Sequence, residues 1–365
     1  MKIAFYTLGC KVNQAETGAM RDFLVAHGHE AAGADTPCDA VVVNTCAVTA
    51  VGEQKSRQAI RRLRQKYSGA ILAVCGCLAQ RGELDGWSEI DVLSGTSDRL
   101  KFAAELEAFA VLKDEKNDRH AVATLEKPRF EPLPFTVPDG RSRAYLKIQD
   151  GCDNRCTYCV IPSLRGGSRS VEPDYAIAQA RAAYEAGHRE LCLTGIEISS
   201  CSMPLPELAR ALCEAAPGLL LRLGSLTPEI INEAFVKALA SCGNLHPGFH
   251  LSIQSGCDSV LKRMGRRYTA ARATEAAVLL RESFPGCVIT GDIICGFPGE
   301  TREEHAATLD FVRTLRPDKL HVFPYSRRPG TPAAAMPGQL MKAEKQRRAR
   351  EIRLLFADTG AVKSS

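Results

Sequence analysis

The chain is expected to be an α/β protein, with an N-terminal open parallel sheet followed by a partial barrel of six β/α units. Three observations predict this. Short apolar runs alternate with helix-sized polar segments along the 365 residues. A proline-rich interval with no period, residues 127–143, divides that alternation in two. The second half holds six alternations, too few for a full eight-stranded barrel but enough for an open one.

In the first half, strands are expected at Lys2–Thr7, Asp39–Asn44, Ala70–Val74 and Asp91–Leu93, with helices starting near Gln14, Ala50, Leu78 and Ser97. In the second, strands are expected at Ala144–Gln149, Glu190–Thr194, Leu220–Gly224, Gly248–Ile253, Val288–Ile294 and Lys319–Phe323. The resulting organisation is an N-terminal domain over 1–126, a linker over 127–143, a barrel over 144–335, and a basic helix and tail over 336–365. The helix itself is read at Lys342–Phe356.

Composition bounds the function. Hydrophobic content of 45% and charged content of 24% are those of a globular protein. No apolar run approaches the roughly 20 residues that span a bilayer, and the N-terminus lacks the features of a signal peptide. No membrane partner and a cytoplasmic location are therefore expected. A net charge of +5 permits a nucleic-acid partner without demanding one.

The cytoplasm keeps thiols reduced, so the 15 cysteines, an odd number, do not read as a disulfide framework. Cys192, Cys213, Cys242, Cys287 and Cys295 lie in apolar contexts and read as packing residues. Six others read differently. Cys152, Cys156 and Cys159 stand as C-x3-C-x2-C in the loop after a strand, where barrel folds gather their active residues. A structural zinc site wants four ligands. Three thiolates on a four-iron cluster instead leave one iron open for a ligand such as S-adenosylmethionine. Thr194-Gly195-Ile196-Glu197, Ser225, Gln254-Ser255 and Gly296-Phe297-Pro298-Gly299-Glu300 follow later strands on the same edge and read as cosubstrate walls. Cys10, Cys46 and Cys77 each follow a strand and precede a helix, so an open sheet would bring them together beside helix N-termini that favour thiolates. Cys75 is the rival to Cys77. As the last strand residue it is expected to point into the packing layer.

These residues together resemble the radical S-adenosylmethionine methylthiotransferase family over nearly the whole chain. The resemblance is carried by Thr7–Gln14, Asn44–Cys46, Gly76–Gln80, Lys147–Ile161 with Arg165-Gly166, Leu193–Ser200 and Asp292–Thr301. The stretch Leu8–Gln14 is similar to the branch acting on N6-threonylcarbamoyladenosine at position 37 of tRNA. Sister branches act on isopentenyladenosine in tRNA or on a ribosomal-protein aspartate, and a non-catalytic iron–sulfur RNA-binding protein is the reading from another class. The resemblance implies two [4Fe-4S] clusters, one on Cys10, Cys46 and Cys77 and one on Cys152, Cys156 and Cys159. It implies S-adenosylmethionine contacts from Tyr158, Gly195, Glu197, Ser225, Gln254 and Gly296, a tRNA substrate, and a low-potential electron donor such as flavodoxin or ferredoxin. It also implies a small C-terminal RNA-binding barrel, for which the sequence shows no residues after the basic helix, so weak, salt-sensitive RNA binding is expected. Two basic groups suit phosphate contacts: Lys55, Arg57, Arg61, Arg62, Arg64 and Lys66 on one helix, and Lys342, Lys345, Arg347, Arg348, Arg350 and Arg353 on the last.

Overall fold

The computed structural model describes residues 1–33, 36–112, 120–121, 129–138, 140 and 142–358. These pack into two compact units, Met1–Asp153 with Ile161–Ile196, and Asn154–Val160 with Glu197 onward.

The first unit is built on strands β1 (Lys2–Thr7), β2 (Ala40–Thr45) and β3 (Ile71–Gly76), with helix α1 (Lys11–Ala26) after the first and α2 (Ala50–Lys66) after the second. Every residue of β2 and β3 is buried, as parallel strands covered on both faces must be. The sheet runs Glu30–Ala31, β1, β2, β3, Val92–Leu93, His120–Ala121, and all of its pairings are parallel. The chain goes outward from β1 and then returns to its other side at β2, so the topological switch point lies between them. In this architecture ligands gather at that point, outside the carboxyl ends of the strands. A core of Ile3, Met20, Leu24, Val42, Ala73, Cys75, Val92 and Phe102 fixes α1 and the Arg99–Leu112 helix to the sheet. The helix expected from Leu78 is reduced to one turn, Ala79–Arg81, because Gly82 follows it in the left-handed region at φ 73°.

The same unit holds β4 (Ala144–Lys147), α3 (Ile161–Arg165) and β5 (Glu190–Thr194), with β4 and β5 paired in parallel. The first compact unit therefore runs past the proline-rich interval as far as Ile196, Asn154–Val160 excepted. The physical reason is a set of buried contacts running from α1 to β4 and α3, described below. The described part of that interval also lies against α1: Thr136 is buried, bridges to Tyr145, and accepts Gly18 so closely that a Cβ there would sit 2.3 Å from its hydroxyl. Lys127, Pro128, Asp139, Arg141 and the tail from Thr359 lie outside the described residues.

In the second unit, Ser225–Leu226, β6 (Gly248–Gln254), β7 (Val288–Cys295) and β8 (Lys319–Pro324) form a parallel sheet in that order. The strand expected at Leu220–Gly224 ends at Arg222 and a new one begins at Ser225. Burial alternates strictly along β6 and β7. Phe249, Leu251, Ile253, Ile289 and Ile293 pack inward, while His250, Ser252, Thr290 and Asp292 stay half-buried on the opposite face. The last helix, α4 (Lys342–Asp358), packs on β7 and β8 through buried Ala349 and Ile352. Among the described residues, no helix is long and apolar enough to cross a membrane.

Candidate functional site

Parallel register aligns the carboxyl ends of the first three long strands. Thr7 pairs with Asn44 and Thr45 with Gly76, so the loops carrying Cys10, Cys46 and Cys77 leave one edge together. Cys10 is the N-cap of α1. Gly9, at φ 102°, lies against Cys46: a Cβ there would be 3.0 Å from the Cys46 sulfur. The first turn of α2 is also close, with a Cβ on Gly52 placed 3.4 Å from that sulfur. The Cys77 amide donates to the Thr45 carbonyl at 3.0 Å, beside Cys46. Burial pushes the Cys46 thiol up to about 11, and the neighbouring Cys77 and Cys10 add to the rise. A metal taken up here would therefore displace protons. Cys75 belongs to the apolar core, as the sequence suggested.

Asn13, one turn beyond Cys10, links this edge to a buried ionic network. Its amide nitrogen donates to the carbonyls of Leu8 at 2.8 Å and Thr45 at 3.0 Å. Its carbonyl oxygen accepts from Arg165 at 2.9 Å and lies 3.7 Å from the Cys10 sulfur. Arg165 also donates to Glu16 at 2.8 Å and Asp150 at 3.0 Å, Arg99 donates to Glu16 at 3.1 Å, and Lys147 to Glu16 at 2.9 Å. Burial alone would raise the Glu16 carboxyl, but Arg165, Arg99 and Lys147 hold it well below its ordinary range. Asp150 is likewise held down to about 2, with burial opposed by Lys147 and Arg165.

Three fully buried cations thus face two buried carboxylates, with Arg169 on Asp150 adding a fourth cation at the rim. The excess is positive, and Arg99 Nε and Arg165 Nε lack hydrogen-bond partners. An anionic group held by Cys10, Cys46 and Cys77 would balance this charge, so the donor set fits a thiolate-held iron–sulfur cluster. Zinc ligands converge on one ion at about 2.3 Å from sulfur. Among the described residues the group whose ligand atoms converge to within 4.8 Å is a different one, His250, Asp292 and His321.

The loop bearing the other three cysteines is shaped by glycine. Gly151 sits at φ 69° and a Cβ there would collide with the Gly167 carbonyl at 2.0 Å, so only glycine fits. The Cys152 amide donates to Gly166 at 3.1 Å. Gln149 holds the loop by donating to the carbonyls of Asp150 and Gly151 while accepting the Ile196 amide at 2.9 Å, which brings Gly195 to the same edge.

In the second unit, Cys159 N–H donates to Cys156 O at 3.1 Å, and Thr157 is tied to Met264 and Arg263. Arg266 donates to the Cys156 sulfur at 3.3 Å and to the Ser252 carbonyl at 3.3 Å. Burial works against that guanidinium, yet Tyr268, Tyr158 and Cys156 keep its pKa above the ordinary arginine value. A cavity of about 200 Å³ opens beside Cys156, lined by Glu197, Thr227, Glu229, Arg266 and Tyr268 among others. Burial raises Glu197, and it raises Tyr158 well above the usual phenol.

Of the expected cosubstrate residues in this unit, Glu197 lines that cavity with Cys156. Tyr158 instead packs edge-on to Phe297. Gln254 turns the chain at φ 66°, and Ser225 starts its strand opposite His250. Gly296 has its amide committed to Glu300 at 2.9 Å, and Lys345 covers the side where a Cβ would stand. Sequence reasoning missed Arg266 and Tyr268; the signal available was Arg266-Arg267-Tyr268, two bases and an aromatic after a short helix. Of the cysteines read as packing residues, Cys192, Cys213, Cys242 and Cys295 are buried and Cys287 is half-buried.

Two arginines of the first basic helix are paired with carboxylates within its own unit. Arg57 pairs with Glu53 and Glu83, Arg64 with Asp91, and Arg61 stacks 4.7 Å over Trp87. On α4, Arg347 and Arg348 pair with Glu344 and, respectively, Glu351 and Glu300.

Residues 146–312 match the Radical SAM superfamily, and residues 2–93 match the uncharacterized protein family UPF0004. The chain has the fold of the radical S-adenosylmethionine methyltransferase TsrM from Kitasatospora setae (TM-score 0.64, 19% identity, 91% of this chain and 77% of that one). Fold and cysteine pattern define a radical S-adenosylmethionine enzyme, a class that uses a [4Fe-4S] cluster with that cosubstrate. Over 359 residues the chain is 36% identical to the threonylcarbamoyladenosine tRNA methylthiotransferase MtaB of Bacillus subtilis, covering 96% of this chain and 79% of that protein. It is 32% identical to the Aquifex aeolicus protein of the same name, over 97% and 88%. It is 34% identical to the tRNA-2-methylthio-N(6)-dimethylallyladenosine synthase of Desulfosudis oleivorans, over 94% and 76%. The chain belongs to the radical S-adenosylmethionine methylthiotransferase family.

Proposed function

We propose that this chain places a methylthio group on C2 of N6-threonylcarbamoyladenosine at position 37 of tRNA. What carries the reading is the pairing of two three-cysteine sets, Cys10/Cys46/Cys77 beside a buried positive excess and Cys152/Cys156/Cys159 in a glycine-shaped loop. The names of the Bacillus and Aquifex relatives support the choice of base. In this reading Cys152, Cys156 and Cys159 hold one [4Fe-4S] cluster and Cys10, Cys46 and Cys77 a second. Bound there with S-adenosylmethionine, the clusters supply a radical able to take hydrogen from adenine C2 and a sulfur to replace it.

The chain's own residues hold and exclude. Arg266 fixes the Cys156 sulfur from the protein side. Gln149 and Gly151 set the loop, with Gly195 at its edge. Glu197, Tyr158, Ser225, Gln254 and Gly296 are the further cosubstrate residues of this reading, and Glu197 stands on the Cys156 cavity. Arg165 and Asn13 fix the start of α1, and with it Cys10. A cytoplasmic location and a low-potential donor such as flavodoxin or ferredoxin belong to the same reading.

The second reading is the isopentenyladenosine substrate, favoured by the 34% identity to the Desulfosudis protein. The test incubates anaerobically reconstituted protein with S-adenosylmethionine, a low-potential reductant and tRNA bearing one or the other adenosine, followed by nucleoside mass spectrometry. The methylthio product from threonylcarbamoyladenosine alone is expected. Product from isopentenyladenosine alone selects the second reading, and no modified nucleoside from either tRNA, with 5′-deoxyadenosine still formed, contradicts both.

A further inference from the structure

Away from all six cluster cysteines, strand register assembles a group of ligands on one face of the second unit's sheet. His250 of β6 lies opposite Thr290 of β7, and Asp292, two residues on, lies opposite His321 of β8. Side chains two apart on a strand share a face, so His250, Thr290, Asp292 and His321 all project on the side away from the buried Phe249, Leu251, Ile289, Ile293 and Val322. One ligand atom each of His250, Asp292 and His321 lies within 4.8 Å of the other two.

His250 is held from both ring nitrogens. Nδ1 lies 2.8 Å from the Thr290 hydroxyl, which also reaches the Phe249 carbonyl at 3.4 Å. Nε2 lies 3.2 Å from Asp292 Oδ2. The His321 imidazole adds a third metal-ligating side chain to this pair. Two imidazoles and a carboxylate so placed match the donor set of a divalent cation. The spacing suits it too. Around a centre bound at about 2.1 Å, neighbouring ligands stand roughly 3.0 to 3.4 Å apart, octahedral to tetrahedral. A metal-bound imidazole usually gives its far N–H to an oxygen acceptor, and the Thr290 hydroxyl stands at that nitrogen of His250.

We propose that His250, Asp292 and His321 form a divalent-cation site, with Thr290 orienting His250. Two imidazoles and one carboxylate select first-row ions such as Zn²⁺, Fe²⁺ or Mn²⁺ and leave positions open for oxygen donors. The side chains of His250 and Asp292 keep 20% and 30% exposure, enough for an ion to enter from water. The site also stands near the chemistry. Ser252, on the same face two residues or about 7 Å along β6 from His250, gives its carbonyl to Arg266, the residue bonded to the Cys156 sulfur. Use of the open positions by a substrate oxygen rests on the functional reading above; the cation site itself does not.

The test titrates Mn²⁺ into protein with oxidised, reconstituted clusters, so that the cysteines are occupied and the hard ion avoids sulfur. Loss of the free-ion electron paramagnetic resonance signal reports binding, and pulsed measurements report nitrogen coupling. One saturable ion per chain with imidazole nitrogen coupling is expected. Asp292→Asn and His321→Ala should each weaken it at least tenfold, and Thr290→Val, which removes no ligand, by about tenfold. Iron content measured on the same samples separates loss of this site from failure of cluster assembly. No saturable ion in the wild type, an ion without nitrogen coupling, or binding unchanged in Asp292→Asn and His321→Ala would overturn the proposal.

Discussion

Replacing Arg165 with methionine keeps an unbranched apolar stem and removes the guanidinium and its charge from a fully buried place. Its guanidinium is fully buried and donates to Glu16 through both carboxylate oxygens, to Asp150, and to Asn13 beside Cys10. Removing one partner of a buried ion pair leaves the other uncompensated, at a cost of about 3–5 kcal/mol. Lys147 and Arg99 remain on Glu16, which places the expected loss at the lower end, near 3 kcal/mol. For a unit of 150 to 250 residues each kcal/mol lowers Tm by about 2–4 °C, so a fall of roughly 6–12 °C in that unit's transition is expected.

The network also predicts the variant's response to acid. Glu16 and Asp150 ionise more readily folded than unfolded, where carboxyls titrate near 4. Their stabilisation is complete above that pH and is lost as pH falls through the folded values, about 2 for Asp150. Arg165→Met raises both folded values, so the acid transition should move toward neutral pH. Calorimetry from pH 2 to 8 reads both effects. A variant within about 1 kcal/mol of wild type at pH 7, with an unmoved acid limb, would refute the claim that this network joins α1 to the barrel strands.

Three further outcomes are expected. Changing Cys152, Cys156 and Cys159 together to alanine should leave about half the iron, four of roughly eight per chain by cubane counting, and abolish 5′-deoxyadenosine; unchanged iron would contradict the assignment. Cys77→Ala should stop methylthiolation while uncoupled cleavage of S-adenosylmethionine continues, whereas Cys75→Ala should cost stability as a core residue; the reverse pattern in product assays would exchange their roles. Neutralising Arg57, Arg61 and Arg64 should change the log–log salt slope of tRNA binding by about one at most, rather than the two to three that three phosphate contacts would give. Arg57 and Arg64 are already paired with carboxylates, and a filter-binding slope falling by two or more would show that they leave those partners for RNA.

The strands were legible because their signal is local. Apolar runs such as Ala40–Thr45 and Ile71–Gly76 lie within two residues of the expected positions. The convergence of the Cys10, Cys46 and Cys77 loops was legible because strand–cysteine–helix order is itself a statement about one sheet edge. Two things were not. A helix begun at Leu78 could not be seen to stop at Arg81, since that depends on Gly82 adopting φ 73°. The partnership of Glu16 with Arg165 joins residues 149 apart, and single charges at that separation look like solvated ones. The same holds for Arg57 and Arg64, whose paired state depends on Glu83 and Asp91 folding back onto α2. Arg266 was missed because its place on the Cys156 sulfur is made across 110 residues of chain.

The measurement closest to the central claim is mass spectrometry of tRNA nucleosides from cells with the gene, without it, and complemented with either wild type or Cys46→Ala. The account predicts that 2-methylthio-N6-threonylcarbamoyladenosine disappears without the gene, that its unmethylthiolated parent accumulates, and that wild type but not Cys46→Ala restores it. Unchanged levels of that nucleoside in the deletion would contradict it.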